Sequence, residues 1–372
     1  MERLKPLEHA FKALFFRLTR MFLRKGRVDF EPLDGTRLQK VLFLRPEKLG
    51  DMIISFPVFD GLKSRYPDIK ISIMGSPRNK AIIRDDPRFD KIFMYTKHPF
   101  RDIREVIRIR REKFDAVVDM ICDDSVTALF LSQLCAPGKP RIGVGKVKYR
   151  EYYDFNYDHR RGDTGHIIEN TLKLLAAFSI NPDSVNPYAE PYVGRRAFDK
   201  ADHFLTEVRD SSGSHSLVVG YNLSAGARTR IWAEEKSRQL VERILNYRDD
   251  TRVVLLTAPP DRWRGDNLQR QFDNRVYQVP PNLSLKEASA VISRLDLLIS
   301  PDTSLVHIAR SFHVPVVGLY SRFMKNFLLW RPFDQEVGAV VSGNDDNIFD
   351  ITVDQVFDTF IQVVEKRKPV EK

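Results

Sequence analysis

Short runs of Val, Ile and Leu recur along the chain and alternate with longer stretches in which apolar residues have helical spacing. The runs lie at residues 41–45, 69–74, 116–121, 217–223, 253–258, 295–300 and 314–320. Uninterrupted apolar runs that alternate with helices are typical of parallel strands covered on both faces. The pattern therefore predicts an α/β protein with two Rossmann-like domains, which would face a cleft at the carboxyl ends of their strands.

The runs form two series, and a chain of 372 residues suits two hydrophobic cores better than one. Proline and glycine residues between 182 and 196 mark the boundary between the series. We expect one domain at residues 40–190, a second at residues 191–350 and a final helix at residues 351–372. Within the first domain, a single helical segment is expected from Asp51 to Arg65.

The N-terminal segment, residues 1–39, has a different pattern. Its apolar residues recur at steps of three and four, which predicts an amphipathic helix. Residues 1–27 hold eight Lys and Arg against two Glu, a net charge of +6. A basic amphipathic helix suits the surface of an anionic membrane. A helix packed on the body of the protein and a helix that binds a partner protein are the alternatives.

The net charge of the whole chain is +10, with a pI near 9.4, and predicts an anionic partner. Nucleic acid, anionic lipid and phosphorylated glycan all fit that charge. No run reaches the ~18 consecutive apolar residues that a membrane-spanning helix needs. Cys122 and Cys135 lack the spacing of a zinc site or a disulfide framework, which favours a reducing cytoplasm.

Several well-known motifs are missing from the sequence. It has no G-x-G-x-x-G after its first strand, no H-E-x-x-H, no calcium loop and no G-x-S-x-G. Residues 143–148 resemble a phosphate loop only faintly, because Pro140 and Val147 stand where Gly and Ser or Thr belong. We therefore do not expect a nicotinamide enzyme, a metalloprotease, a calcium-binding loop or an α/β-hydrolase.

The first candidate site follows the apolar run at 41–45. Lys48 and Gly50 lie in the loop after that run, Asp51 stands at the start of the next helix, and Gly50 is expected to allow a tight turn. Asp51 fits the N-terminal cap of the helix. A carboxylate at the end of a first strand also suits a general base that accepts the proton of a hydroxyl group.

The second candidate site lies in the other domain, where small residues follow the run at 217–223. Ser224 and Gly226 belong to this loop, and Arg228 and Arg230 follow it. Backbone N–H groups of such a loop can hold phosphate oxygens, and a guanidinium group supplies positive charge. A plain strand-to-helix turn has the same composition.

The third candidate site follows the run at 295–300. Asp302, Thr303 and Ser304 open the next helix, and His307 lies on its first turns. Asp302 or Thr303 fits a plain helix cap, and His307 fits an ordinary buried histidine.

Together the three segments resemble glycosyltransferase family nine, the ADP-heptose:lipopolysaccharide heptosyltransferases. The matching motifs are Leu49-Gly50-Asp51, Ser55-Phe56-Pro57, Tyr66-Pro67, Ser224-Ala225-Gly226-Ala227, Arg230-Ile231-Trp232, Ser300-Pro301-Asp302-Thr303 and His307-Ile308-Ala309. They occur in the family's order across residues 40–320. The resemblance is specific for the family and much less so for the substrate.

The resemblance implies a B-type glycosyltransferase fold and an inverting transfer without a metal ion. Asp51 corresponds to the family's base on the acceptor hydroxyl, with Lys48 and Gly50 on the acceptor side. Arg230 corresponds to a Lys that contacts the donor phosphates. The family's donor site further implies roles for Ser224, Gly226, Arg228, Asp302, Thr303, Ser304 and His307. Fixed donors at a helix N-terminus and a guanidinium group suit a diphosphate that gains charge as it leaves.

Three residues depart from the family pattern: Arg230 replaces Lys, Ala233 replaces Pro, and Ser304 replaces Gly. Arg230 keeps the charge with a different donor geometry. A side chain at Ser304 narrows the approach of a phosphate group. A non-catalytic nucleotide-sugar-binding or scaffold protein of the same fold is the alternative that Ser304 favours and that Asp51 and Arg230 disfavour.

We therefore expect transfer of a heptose or related sugar from a nucleoside-diphosphate donor of the ADP-heptose type. The expected acceptor is a lipopolysaccharide core or a similar anionic glycolipid, at the cytoplasmic face of the bacterial inner membrane. Basic residues of the first domain that could meet acidic sugars are Arg101, Arg104, Arg108, Lys146, Lys148, Arg150, Arg160 and Arg161. Nucleic acid is not expected as a partner, because only the net charge points to it.

Overall fold

The computed structural model describes residues 16–27, 29–159, 165–210, 216–272 and 274–366. The chain divides into two compact units, Met1–Pro187 and Tyr188–Lys372. Each unit contains a six-stranded sheet in which every pair of neighbouring strands is parallel. The predicted fold class, two Rossmann-like α/β domains, is confirmed.

The strands of unit 1 are β1 (Lys40–Leu44), β2 (Lys70–Gly75), β3 (Lys91–Met94), β4 (Ala116–Asp119), β5 (Arg141–Val144) and β6 (Phe155–Tyr157). Its helices are α1 (Leu49–Ile53), α2 (Phe56–Arg65), α3 (Lys80–Ile83), α4 (Pro99–Glu112), α5 (Val126–Cys135) and α6 (Ile167–Leu172). The spatial order is β3-β2-β1-β4-β5-β6. The direction of winding reverses between β1 and β4, where Rossmann folds bind ligands.

The strands of unit 2 are β7 (Val218–Asn222), β8 (Arg252–Leu256), β9 (Val276–Gln278), β10 (Leu297–Pro301), β11 (Val316–Tyr320) and β12 (Ala339–Val341). Its helices are α7 (Arg195–Asp210), α8 (Glu234–Tyr247), α9 (Arg262–Gln269), α10 (Leu285–Ile292), α11 (Ser304–Ser311), α12 (Met324–Trp330) and α13 (Val353–Lys366). The order β12-β11-β10-β7-β8-β9 repeats the topology of unit 1, with the reversal between β7 and β10.

The central strands are buried because they are sandwiched between helices. All five residues of β7, β8, β10 and β11 are buried, and the core of unit 2 includes Val356, Phe360 and Val363 of α13. The final helix thus belongs to the core of unit 2. Among the helices in the described part of the chain, none has both the length and the apolar character to cross a membrane.

The predicted helix from Asp51 to Arg65 is wrong in one respect, because the structure has two helices there. Helix α1 ends at Ile53, and α2 begins at Phe56 with Pro57 in its first turn. Proline has no N–H to donate to the preceding turn, so a helix that reaches it restarts there.

The predicted N-terminal helix over residues 1–39 is wrong in its second half. Residues 1–15 lie outside the described part of the chain. Residues 16–19 are helical, and Arg20–Phe22 and Gly35–Arg37 form 3-10 turns; residues 23–27 and 29–34 contain no helix. The backbone at Gly26 lies directly against Tyr153. A side chain does not fit there, since a Cβ would lie 2.1 Å from the carbonyl oxygen of Tyr153.

Candidate active site

Asp51 lies on the first turn of α1, directly after β1. Its Oδ2 accepts a hydrogen bond of 2.9 Å from the backbone N–H of Lys48, and the side chain is 14% exposed. Asp51 is thus the third residue of α1 and supports the helix start as in a capping box, whereas the predicted N-cap position is occupied by Lys48. Its other oxygen, Oδ1, lies 3.9 Å from the guanidinium group of Arg45, too far for a hydrogen bond. The contact at the helix start uses only Oδ2, so Oδ1 can accept a hydrogen bond from a ligand.

Gly50 does not form the expected tight turn. It lies inside α1, and its carbonyl accepts the N–H of Ile54 at 3.1 Å. The glycines with positive φ in the described ranges are Gly138 and Gly145, so the backbone at Gly50 does not require glycine. Lys48 has an exposed side chain and holds Asp51 only through its backbone.

Arg45, which the sequence analysis missed, is buried beneath this turn at 1% exposure. Its Nε donates to the carbonyl oxygen of Asp51 at 2.9 Å, and its Nη1 bonds Glu47 and the carbonyl of Met120. Its Nη2, which faces Asp51, has no hydrogen-bond partner among the described residues. A single guanidinium group thus fixes the backbone of Asp51 and is shared by two carboxylates.

Glu47 is the second carboxylate, with a side chain that is 30% exposed. Burial, together with the charges of Asp51 and Asp119, raises the pKa of Glu47 to about 7 against the opposing effect of Arg45 and Lys146. The group therefore changes its charge near neutral pH, next to the carboxylate of Asp51.

A fully buried ion pair lies at the end of the neighbouring strand, β4. Asp119 pairs with Lys146 at 2.8 Å and accepts a hydrogen bond of 2.5 Å from the hydroxyl of Tyr153. Burial and the nearby charge of Asp119 raise the pKa of Tyr153 well above its usual value. The register pairs Leu44 with Asp119, which brings this ion pair close to the loop after β1.

The expectation that Lys146 meets acidic sugars is therefore wrong. Its ammonium group is enclosed and also donates to the carbonyls of Ile121 and Asp123. Arg101, Arg104, Arg108, Lys148 and Arg150 are exposed, whereas Arg160 and Arg161 lie outside the described residues.

In unit 2, Asn222 at the end of β7 joins the second and third candidate segments. Its side-chain N–H groups donate to Ser300 at 2.9 Å and to Thr303 at 3.2 Å. Its oxygen accepts the backbone N–H of Ser224 at 3.0 Å. Ser224 in turn accepts the N–H of Ala258 at 2.8 Å. Asn222 is a residue that the sequence analysis missed, and it fixes the two loops against each other.

Arg230 and Asp302 meet at this junction. The Nη1 of Arg230 lies 2.9 Å from Oδ2 of Asp302 and donates to the Asp302 carbonyl at 3.1 Å. The side chains are 38% and 16% exposed, so the pair is open to solvent. The two residues come from loops 72 positions apart, and the reversal between β7 and β10 brings them together.

The helix that follows this pair, α11, is capped by Thr303. Its Oγ1 accepts the N–H of Leu305 at 3.3 Å, so the interpretation of Thr303 as a cap is confirmed. Ser304 is the first helical residue and is partly exposed. His307, one turn later, is 7% exposed and packs edge-on against Trp330, with ring centroids 5.7 Å apart.

Gly226 and Arg228 are exposed. Among the described residues, no side-chain hydrogen bond connects either of them to Asn222, Arg230 or Asp302. A methyl group added to Gly226 would meet no atom within 4 Å. The loop that carries both residues is therefore open to a ligand, while Ser224 and Arg230 anchor its two ends.

Tyr320, at the end of β11, lies near enough to Asp302 and Arg230 to be affected by their charges. Its hydroxyl group is buried and has no hydrogen-bond partner in the part of the chain that the structure describes. Burial raises its pKa well above the usual value, and the charge of Asp302 adds to this effect while Arg230 opposes it. The phenol thus remains neutral beside the charged pair.

An open pocket adjoins these loops within unit 2. Asn222 and Pro301 belong to its wall, and the other lining residues include Tyr221, Trp232, Glu234 and Asn267. Among the described residues, no three His, Cys, Asp or Glu side chains cluster in the manner of metal ligands.

Two Rossmann-type sheets, each with polar groups at its reversal point, place candidate ligand-binding groups where folds of this kind bind their ligands. The family model of glycosyltransferase family 9 (heptosyltransferase) matches residues 104–350 of the chain. This match covers well over half of the sequence. The chain belongs to glycosyltransferase family 9 and is a glycosyltransferase.

Individual relatives are distant in sequence. The chain is similar to lipopolysaccharide heptosyltransferase 3 of Escherichia coli, with 23% identity over 311 residues that cover 79% of this chain and 86% of the relative. A family 9 glycosyltransferase from Veillonella parvula has a TM-score of 0.72 and 17% identity, covering 90% of this chain and 99% of that structure. The E. coli heptosyltransferase WaaC, solved with ADP, has a TM-score of 0.67 and 17% identity, covering 88% and 99%. These structures support the fold.

Proposed function

We propose that this glycosyltransferase transfers a heptose or a related sugar from a nucleoside-diphosphate donor of the ADP-heptose type. The proposed acceptor is a hydroxyl group of a lipopolysaccharide core or a similar anionic glycolipid. The relatives named for lipopolysaccharide heptosyl transfer, and the one solved with ADP, favour this donor and acceptor.

The observation that carries the proposal is the junction of Arg230 and Asp302 at the start of α11. A guanidinium group and a capped helix start meet at the reversal point of the second sheet, and the loop that leads to Arg230 has open space at Gly226. Helix starts attract anions through their unpaired N–H groups, and guanidinium groups bind phosphate oxygens in pairs. We assign the diphosphate of the donor to this junction.

The transfer that we propose inverts the anomeric carbon. The acceptor oxygen attacks that carbon, its proton passes to Asp51, and the bond between the carbon and the diphosphate oxygen breaks on the opposite side. Arg230 and the N–H groups at the start of α11 would stabilise the charge that the leaving diphosphate gains, without a metal ion. Asp51 suits the base because the backbone N–H of Lys48 holds its Oδ2, whereas its Oδ1 lies 3.9 Å from Arg45, too far for a hydrogen bond.

The proposed location is the cytoplasmic face of the inner membrane, where a glycolipid acceptor and an anionic surface occur together. The basic N-terminal segment supports this, because Leu18, Met21 and Phe22 are 67, 87 and 87% exposed among arginines. Phe16 and Leu23 of the same segment instead pack on Tyr149 and its neighbours. Part of the segment is thus docked on unit 1, and part is available to a membrane.

The test is a donor screen with the purified protein. Unfolding temperatures would be measured with ADP-, GDP- and UDP-linked sugars, since a ligand at 100 times its Kd adds about 2.7 kcal/mol of stability. We expect the largest shift with ADP-heptose and a loss of that shift in Arg230→Ala. Stabilisation by ADP-heptose without any transfer to acceptor would favour the alternative, a non-catalytic nucleotide-sugar-binding protein. No stabilisation by any of the donors would contradict the proposal.

A further inference from the structure

Helix α4 carries apolar side chains on two opposite faces, one buried and one exposed. Val106 and Ile109 are buried in the core of unit 1, whereas Phe100, Ile103 and Ile107 are 75, 59 and 47% exposed. Positions 100, 103 and 107 are separated by three and four residues, so their side chains share one side of the helix. The helix therefore presents a second apolar stripe to solvent, opposite to the one that holds it in the fold.

Exposed arginines flank this stripe: Arg101, Arg104, Arg108, Arg110 and Arg111. The acidic side chains of the helix are turned away from it and have partners in the fold. Asp102 accepts hydrogen bonds from Thr96, and Glu112 pairs with Lys40 and Lys91. Glu105 pairs with Arg108, which leaves the outward side with an excess of positive charge.

The basic N-terminal segment, which also has exposed apolar side chains, packs against α5, and so does α4. Leu131 of α5 packs in the cluster that holds Val106 and Ile109, and Leu129 packs in the cluster that holds Phe16 and Leu23. Helix α5 thus contacts both α4 and the N-terminal segment. Its own Leu134 is 46% exposed.

We propose that the outward side of α4 binds the anionic headgroups of a lipid bilayer. Phe100, Ile103 and Ile107 would enter the interface between headgroups and acyl chains, and the flanking arginines would contact lipid phosphates. This inference deepens the proposed membrane association and rests on it. It does not depend on the transfer reaction, since lipid binding is measured without donor or acceptor.

The charge of the stripe favours a bilayer over a protein partner. A specific protein interface needs about 800 Å² of matched surface on each side, far more than three side chains in a row of arginines provide. Arginine-rich borders around a few large apolar side chains are instead typical of helices that lie in a membrane surface.

The experiment is sedimentation of the full-length protein with vesicles of equal parts phosphatidylglycerol and phosphatidylcholine. In one variant, Arg101→Gln, Arg104→Gln and Arg108→Gln are combined, and in another Phe100→Ala, Ile103→Ala and Ile107→Ala. Loss of three arginines should weaken binding about 100-fold at low salt, at about fivefold per arginine. The apolar triple should weaken binding to the same vesicles, and wild-type binding should fall as salt rises.

Two matched controls accompany these variants. Arg195→Gln, Arg196→Gln and Arg270→Gln remove the same charge from exposed positions of unit 2, and Trp263→Ala, Phe323→Ala and Phe349→Ala remove exposed apolar groups there. Both controls should bind vesicles like the wild type. A triple Arg→Lys variant at 101, 104 and 108 should also bind normally, because a charged surface does not require the planar guanidinium group.

Binding that is unchanged in both α4 variants would overturn the proposal. So would equal binding of the wild type to pure phosphatidylcholine, or a dimer in solution that the apolar triple dissociates. If the apolar triple does not fold, the arginine triple still decides between the outcomes. It leaves the buried Val106 and Ile109 in place, and thermal unfolding checks that it is folded.

Discussion

Replacement of Arg230 by alanine separates its contact with Asp302 from its proposed contact with the donor. Arg230 is 38% exposed, and a solvent-exposed ion pair contributes about 0–1 kcal/mol to stability. The unfolding free energy of Arg230→Ala should therefore fall by no more than about 1 kcal/mol. A hydrogen bond between charged groups at a ligand contributes about 1.5–3 kcal/mol, which corresponds to a loss of affinity for ADP between about 10-fold and about 150-fold.

The assay is calorimetric titration of ADP into the wild type and four variants, the first of which is Arg230→Ala. Arg230→Lys, which restores the family residue, should keep most of the affinity because it keeps the charge. Arg228→Ala tests the alternative cation for the phosphate site, since Arg228 is exposed two positions away and makes no ion pair within the described residues. Asp302→Asn removes the carboxylate that pairs with Arg230, so ADP should bind at least as well as in the wild type. Unchanged affinity in Arg230→Ala, with a loss in Arg228→Ala, would refute the assignment of the phosphate site.

Three further outcomes follow from the same geometry. Lys146→Met leaves Asp119 buried without its cation and should lower the unfolding free energy by about 3–5 kcal/mol, whereas exposed Lys148→Met should change it by less than about 1 kcal/mol in denaturant titrations. The pKa of Glu47 is raised to about 7 in the folded protein, so the folded state binds more protons than the unfolded state between pH 4.5 and 7. Stability should fall as pH rises through this window, and Glu47→Gln should flatten that dependence; an identical slope in the variant would exclude Glu47 as its source. Ser304→Gly should fold normally and bind ADP as well as or better than the wild type, and a loss of ADP affinity in calorimetry would mean that the Ser304 hydroxyl takes part in binding.

The central strands were predictable because they are buried on both faces and read as continuous apolar runs. The strands that the sequence analysis missed, β3, β5, β6, β9 and β12, are three or four residues long. Four of them are at or next to a sheet edge and are only partly buried, so their apolar signal is weak. The fifth, β5, is buried but contains Arg141 and Gly143, which interrupt the apolar run.

The motifs located the loops of the site, whereas their partners depend on topology. Asp51, Arg230 and Asp302 were identified from their segments, but the contact between Arg230 and Asp302 arises only from the reversal of strand order between β7 and β10. Arg45 and Lys146 resembled ordinary surface cations in the sequence. Their burial follows from carboxylates and carbonyls that distant strands supply, which no local pattern records.

Transfer activity of Asp51→Asn is the most direct test of the proposed mechanism. An asparagine oxygen can still accept the N–H of Lys48, so the helix cap and the fold should persist while the proton acceptor is lost. The measurement is release of ADP from ADP-heptose in the presence of a lipopolysaccharide-core acceptor, with ADP affinity measured on the same preparation. We predict acceptor-dependent release by the wild type, and in Asp51→Asn a turnover that is lower by ~10²–10⁴ with nearly unchanged ADP affinity. Turnover close to that of the wild type in a folded Asp51→Asn protein would contradict the assignment of Asp51 as the base.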